Sequence, residues 1–277
     1  EHRRERHRDR VLERARSVAA SPDEAERRAA DVDRFVASMP DRYLLANTPE
    51  AIVAHAALWS SHGSQDVSVA LGPSPFPGVA EIAVVAADRP GLLAAVTAAL
   101  SGARLHVHAA QIHSRGGAAS GSDEPVQAVD LFWVRARHGG VEAVASRMPR
   151  LRRDLAAVLA GDAEPQALAR LTRSAGAGQP AVPTKVVLDN RAAQEHTVVE
   201  VFTRDRAGLL FTLAHAMFGL GLSIALAKIN TEGDRAIDVF YVHDRGATKV
   251  CLDERGEELR KALVDAVEAM DEAREES

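Results

Sequence analysis

The sequence has little cysteine: Cys251 is the only one among 277 residues. A single cysteine excludes an intramolecular disulfide and is typical of a reducing compartment, so we expect a cytoplasmic location. No convincing base stands beside Cys251 in the sequence. We therefore interpret it as a small apolar residue that is buried or half-buried.

Long hydrophobic runs are also absent, and none approaches the ~20 residues that a helix needs to cross a bilayer. This predicts no contact with membranes. The first ten residues, EHRRERHRDR, contain neither an initiating Met nor an apolar secretion segment, so we expect the chain to be part of a longer protein. Its net charge of −5 argues against nucleic acid as a partner of the whole chain. Residues 1–16 are basic, but interspersed acids and missing aromatics predict a solvated helix face.

The composition, 46% hydrophobic and 26% charged, is that of a globular protein with room for two or three compact units. Residues 1–61 read as helices, with starts at Ser21-Pro22 and Thr48-Pro49. A breaker-rich linker with one short strand follows at 62–78. The remaining chain is predicted as an α+β unit at 79–161, a linker at 162–183 and a second α+β unit at 184–277.

An internal repeat is the strongest signal. Residues 81–114 match 198–231 at an offset of 117, and VDLFWV then faces IDVFYV at an offset of 108. The change in offset places nine inserted residues between the paired strands of the first copy, in the segment RGGAASGSDEPVQA. Two diverged copies of one βαββα unit explain this pattern.

A βαββα unit needs a fourth strand to complete an antiparallel, ferredoxin-like sheet. The second copy has no chain left for such a strand after its second helix. We therefore expect VSVAL at 67–71 and KVVL at 185–188, which precede the two copies, to supply it. The predicted fold class is α+β, with an N-terminal helical segment followed by two ferredoxin-like βαββαβ units.

Each copy sends its first strand into the same kind of turn, DRPGLL at 88–93 and DRAGLL at 205–210. The aspartate is predicted to be a helix N-cap, and the glycine permits close approach of a ligand or another backbone. Exposed amides at the positive end of a helix suit a carboxylate. The purely structural alternative, in which aspartate caps, glycine permits packing and the leucines fill the core, remains open.

With these repeats, the chain resembles a tandem of ACT domains, which are small amino-acid-sensing modules of βαββαβ topology. It is more specifically similar to the C-terminal part of the bifunctional PII uridylyltransferase/uridylyl-removing enzymes over about residues 39–272. The segments that carry the resemblance are MPDRYLLANTPEAIVAHAALW (39–59), DRPGLL…AAQIHS (88–114), VVLDN (186–190), HTVVEVFTRDRAGLL (196–210) and GLGLSIALAKINTEGDRAIDVFYVHD (219–244).

The resemblance implies a regulatory region that senses glutamine and controls attachment of UMP to, and its removal from, the PII protein. It implies that the partners are the enzyme's own catalytic domains, PII through the full-length enzyme, and ACT units that pair with each other. The implied amino-acid-binding residues are Asp88, Arg89, Pro90, Gly91, Asp205, Arg206, Ala207 and Gly208, with Gln111, His113, Lys228 and Asn230 as weaker candidates.

Neither catalytic motif set of that family is found. Gly63-Ser64 and Gly121-Ser122 lack a following Asp-x-Asp for Mg²⁺, and His243-Asp244 closes a strand instead of lying on a helix. We expect no catalytic residue, metal or cofactor in this chain, and Mg²⁺ only in the family's catalytic domains. His106, His108 and His113 could suggest zinc, but the second copy has Ser223, Ala225 and Asn230 there, which favours a polar sheet face.

Two other functions remain open. In one, the tandem units serve only as a dimerisation or docking module, in which the turns merely cap helices. Nucleic-acid binding through the basic start is a weaker possibility and predicts affinity that falls steeply with salt.

Overall fold

The computed structural model describes residues 2–72, 74–115, 126–170, 183–232, 235–246 and 248–275. Residues 116–125, within the segment predicted to hold the nine-residue insertion, and most of the predicted linker at 162–183 lie outside these residues. By its internal contacts the chain divides into two compact units. Unit 1 comprises Glu1–Asp88 and His113–Leu131, and unit 2 comprises Arg89–Ile112 and Phe132–Ser277. The boundaries predicted above follow the sequence repeat and stay a prediction.

The helices of the described residues begin and end as follows: α1 (His2–Ser17), α2 (Pro22–Ser38), α3 (Asp41–Ala46), α4 (Pro49–His62), α5 (Leu92–Gly102), α6 (Gly140–Ala145), α7 (Met148–Ala160), α8 (Pro165–Arg170), α9 (Leu209–Gly219) and α10 (Leu252–Glu275). The strands are β1 (Val67–Gly72), β2 (Ala80–Ala87), β3 (Leu105–Gln111), β4 (Ser114–Arg115), β5 (Gln127–Ala136), β6 (Lys185–Asp189), β7 (Thr197–Arg204), β8 (Ser223–Glu232) and β9 (Arg235–His243).

Unit 1 contains α1 to α4, and this confirms the predicted N-terminal helical part. Local chemistry sets two helix starts. The Ser21 hydroxyl accepts the Glu24 N–H at 3.3 Å, and the Thr48 hydroxyl accepts the Ala51 N–H at 3.3 Å. A proline follows each cap in the first helical turn, where its missing N–H has no intrahelical partner to lose.

In unit 1, β1 pairs antiparallel with β2 along its whole length, with Val67 opposite Ala86 and Gly72 opposite Glu81. Helix α4 packs against both strands. The core between them is apolar, and Phe35, Ile52 and Ile82 are fully buried. This pairing confirms that the segment before the first copy supplies an additional strand.

In unit 2 the strands are ordered β3-β8-β9-β7-β6, and neighbouring strands are antiparallel. All five residues of β6 pair with β7, from Lys185 opposite Phe202 to Asp189 opposite Val198. The second copy therefore has the predicted four-strand arrangement, in which a strand that precedes the repeat takes the fourth place. Helices and antiparallel strands together confirm the α+β class.

Two local predictions fail. Cys251 is exposed, because it directly precedes α10 and its carbonyl accepts the Arg255 N–H at 3.0 Å, a position at the helix start rather than in the core.

Asp88 and Asp205 are also not N-caps, because the residues at the N-cap positions are Gly91 and Gly208. The chain first makes a turn, with Leu209 N–H donating to Arg206 O at 3.1 Å, and this displaces the aspartate from the helix start.

Candidate functional site

The two repeated turns have the same backbone geometry. Gly91 and Gly208 both have a φ of 84°, in the left-handed region that favours glycine. The Gly208 carbonyl then accepts the first helical hydrogen bond, from Thr212 N–H at 2.9 Å. A Cβ on Gly208 would approach only Met270 Cε, at 3.9 Å, so the backbone conformation, and not crowding, requires glycine there.

The arginine of each turn is bonded to the second helix of its copy. Arg89 donates to the Leu159 carbonyl at 2.8 Å, and Arg206 donates to the Val267 carbonyl at 3.5 Å. Leu159 and Val267 are themselves equivalent at the offset of 108. Arg206 also donates to Thr203 Oγ1 at 3.1 Å and is buried. These contacts attach the turn to the helix that packs on the sheet.

Asp205 forms the polar centre of the second turn. Its carboxylate lies 2.8 Å from His106 Nε2 on β3. Burial raises the pKa of Asp205, and the charges of His106 and Arg135 oppose that rise. Burial also lowers the pKa of His106 against the attraction of Asp205. Desolvation therefore disfavours the fully ionised pair.

Asp238 on β9 lines a small cavity of about 20 Å³, together with His106, Asp205 and Thr231. Asp238 is 1% exposed, and within the described residues its Oδ1 has no hydrogen-bond partner. Burial, together with the nearby Asp205 charge, raises the pKa of Asp238 to about 7, although the Asn230 backbone N–H lowers it. A buried oxygen without a partner is unusual and marks this position.

A wider cleft of about 950 Å³ lies beside the same turn, lined by Asp205, Arg206, Ala207 and Gly208. The rest of the lining is strongly basic and contains Arg104, Arg135, Arg137 and Arg147. Within the described part of the chain, none of these four arginines forms an ion pair. Guanidinium groups stay protonated and match carboxylates well, so the cleft has the electrostatics of an anion site.

The first copy's aspartates belong to unit 1. Asp88 accepts the Ser114 hydroxyl at 2.5 Å. Asp130, the equivalent of Asp238, is 1% exposed and accepts the His113 N–H at 3.4 Å. Burial, followed by the Asp88 charge, raises the pKa of Asp130. Each copy thus has a buried acid on its third strand that accepts a backbone N–H.

Sequence reasoning missed Asp130 and Asp238, although a signal was present. Both stand inside apolar strand segments, VDLFWV and IDVFYV, that align in the two copies. An acid at a core position of a strand is expensive to bury unless it is bonded or neutral. Its recurrence at the same place was therefore a sign of a special environment.

The weaker sequence candidates are placed differently. Gln111 lies directly opposite Lys228 in the β3–β8 ladder, while Asn230 lies opposite Ala109. None of these three residues is among those that line the cavity or the cleft. Lys228 is exposed, with Nζ 5.8 Å from the Tyr241 ring centre.

His113 belongs to unit 1 and is buried against the edge of the Tyr43 ring at 5.3 Å. Burial lowers its pKa to about 3. Its surroundings are those of a neutral core histidine.

Among the described residues, no group of three or more His, Cys, Asp or Glu side chains is placed to hold a metal ion. No described helix is long and apolar enough to cross a bilayer.

The fold defines an α+β protein in which one strand–helix–strand–strand–helix unit is repeated after an N-terminal helical part. The sequence is similar to those of curated relatives. The chain is 33% identical over 273 residues to the bifunctional uridylyltransferase/uridylyl-removing enzyme of Caulobacter vibrioides, covering 95% of this chain and 27% of that protein. The enzyme of the same name from Gluconobacter oxydans is 32% identical over 246 residues, covering 85% and 25%. That of Phenylobacterium zucineum is 34% identical over 238 residues, covering 83% and 24%.

The chain belongs to the family of bifunctional uridylyltransferase/uridylyl-removing enzymes. It spans about a quarter of the length of these relatives. No protein-family model matches it, and no solved structure matches it.

Proposed function

We propose that this chain is the regulatory region of a uridylyltransferase/uridylyl-removing enzyme and that its second repeated turn binds glutamine. Through the catalytic domains of the full-length enzyme, which would use Mg²⁺, this binding controls attachment of UMP to PII and its removal. The single observation that carries the amino-acid site is that Asp205 and Asp238 lie beside a cleft whose four arginines form no ion pair within the described residues.

The charges at this turn suit an amino acid. A free amino acid carries an ammonium and a carboxylate on one carbon, so its site needs both signs of charge within a few ångströms. Asp205 contributes negative charge, and Arg135 is close enough to affect the pKa of both Asp205 and His106. The concave shape beside them accommodates a small molecule.

The Arg206 contacts refine the roles inferred from the resemblance. Its guanidinium is directed to the Val267 carbonyl and Thr203, so we assign it to holding the turn in place. The exposed arginines of the cleft are better placed to meet a ligand carboxylate. Gly208 contributes a conformation that a residue with a side chain adopts only with strain.

Thermal unfolding of the intact chain with millimolar free amino acids tests the proposal. Glutamine at a hundredfold excess over Kd stabilises the folded state by about 2.7 kcal/mol, and glutamate at the same concentration has a smaller effect. Arg135→Gln lowers the affinity by about two- to tenfold, the range expected for one hydrogen bond. Arg191→Gln, an exposed arginine outside the cleft lining, is the matched control and leaves it unchanged.

The second candidate function is a dimerisation or docking module without a small-molecule ligand. Exposed apolar side chains such as Phe218 favour it locally. A flat response to every amino acid, together with a mass in solution that rises with protein concentration, would replace the sensor proposal with this one. In the full-length enzyme, the sensor proposal requires glutamine to alter the ratio of UMP attachment to removal.

A further inference from the structure

We propose that Asp238 and Asp205 together receive the ammonium group of the effector, and that this subsite operates in the second copy but not in the first. The inference rests on the proposed function, because it assigns one end of the bound amino acid to named atoms. Asp238 thereby becomes a specificity-determining residue that the family resemblance did not indicate.

Asp205 and Asp238 share one small space. Both side chains line the small cavity of about 20 Å³, which is large enough for one ammonium-sized group. Asp238 Oδ1 has no partner among the described residues, and Asp238 is 1% exposed. A donor with several N–H groups would satisfy this oxygen and also reach Asp205.

The charges around this space also favour a cation. Asp238 faces Asp205 and Arg206 of the turn. The other ionisable groups near Asp205 are His106 and His108 on β3 and Arg135 on β5. Without a ligand, two carboxylates in so dry a space resist ionising together, and Asp238 keeps a proton up to near neutral pH. An ammonium between them reverses that preference because it stabilises both negative charges.

Binding is therefore linked to proton release. The O–H bond of the Asp238 carboxyl group breaks and its proton goes to the buffer, while the ligand ammonium donates N–H hydrogen bonds to the two carboxylates. No covalent bond within the ligand changes, and no oxidant or other reactant is needed. At pH 6.5, below the pKa of about 7 for Asp238, most molecules release one proton for each ligand bound.

The first copy has equivalent acids but different partners. Asp88 is occupied by the Ser114 hydroxyl at 2.5 Å. The second-copy equivalent of Ser114 is Thr231, which lines the cavity and, within the described residues, makes no hydrogen bond to Asp205. In the second copy, Asp205 lies 2.8 Å from His106 Nε2 instead, and the equivalent hydroxyl leaves room beside Asp205 and Asp238 for an external donor.

Isothermal titration calorimetry of the intact chain tests this subsite with two probes, L-glutamine and glutaramate, which is glutamine without its ammonium group. Asp238→Asn should weaken glutamine binding about tenfold or more. It should also abolish proton release, which is measured as the difference in binding enthalpy between phosphate and imidazole buffers. Its effect on glutaramate should be small. Asp130→Asn, the matched buried acid of the first copy, should leave glutamine affinity and proton release unchanged.

The outcomes separate the two proposals. If glutamine binds and Asp238→Asn changes neither affinity nor proton release, the subsite is wrong and the sensor proposal stands. If the wild-type chain does not bind glutamine, the proposed function fails. The subsite is then tested by NMR titration of the aspartate carboxyl carbons with and without methylammonium. Methylammonium must lower the pKa of Asp238 and leave that of Asp130 unchanged. An unchanged pKa of Asp238 overturns the subsite.

Discussion

His55 and Glu81 are joined by a 2.7 Å hydrogen bond in the interior of unit 1, where each side chain is 1% exposed. The Tyr43 hydroxyl lies 2.7 Å from the other ring nitrogen of His55. A carboxylate can only accept hydrogen bonds, so Nε2 of His55 must carry the hydrogen that is donated to Glu81. In a neutral imidazole ring, Nδ1 then accepts the hydrogen bond from the Tyr43 hydroxyl. This chain of bonds links α3 and α4 to β2.

Replacing His55 with Leu should destabilise unit 1 by about 3–5 kcal/mol, because it leaves a buried carboxylate and a buried hydroxyl without partners. Urea denaturation measures the change. The double variant His55→Leu with Glu81→Leu should be less destabilised than the sum of the two single variants. Additive losses would show that the bond between them does not stabilise the fold.

Arg206 should be more important for stability than Arg89. Arg206 is buried and hydrogen-bonded to Val267 and Thr203, whereas Arg89 is exposed. Arg206→Met should reduce the free energy of unfolding by about 1–3 kcal/mol, because it leaves buried acceptors unpaired. Arg89→Met should change it by about 0.5 kcal/mol or less, as is usual at the surface. Equal losses in urea unfolding would contradict the structural role assigned to Arg206.

Asp238 should make unit 2 less stable as pH rises. Its pKa is about 7 in the folded state against an ordinary 3.8, so between those values the folded state holds a proton that the unfolded state has released. The contribution of this group to the free energy of unfolding is fully present below about pH 4 and is lost as pH rises through about 7. The loss is on the order of 4 kcal/mol at most. Thermal unfolding of Asp238→Asn between pH 4 and 8 should lack that loss. An identical pH profile for the variant and the wild type would refute the assignment.

His113 should make unit 1 more stable as pH rises, which is opposite to the effect of Asp238 in unit 2. Burial lowers its pKa from 6.5 to about 3, so between these values the unfolded state binds a proton that the folded state excludes. Stability is therefore present above about pH 6.5 and falls as pH decreases toward 3. His113→Gln should flatten this acid-side dependence in circular dichroism melts. The two groups oppose each other in the wild-type chain, so only comparison with the variants separates them.

Part of the fold could be predicted because its signals are local. Ser21 and Pro22 define the start of α2, and the alternating segment at 185–188 forms the expected strand beside β7. The chemistry of the second turn could not be predicted as well. Whether Asp205 caps a helix or meets His106 depends on strands that are distant in sequence. The importance of Asp238 arises from burial and an adjacent charge, which a single sequence does not specify.

The central claim, that the second turn and not the first binds glutamine, is tested most directly by NMR of the intact chain with ¹⁵N-labelled glycine. Gly91 and Gly208 share one backbone conformation, so their amide signals are matched reporters within a single sample. Added glutamine should shift the Gly208 amide and leave Gly91 unchanged. A shift confined to Gly91, or no shift of either amide at saturating glutamine, would contradict the account.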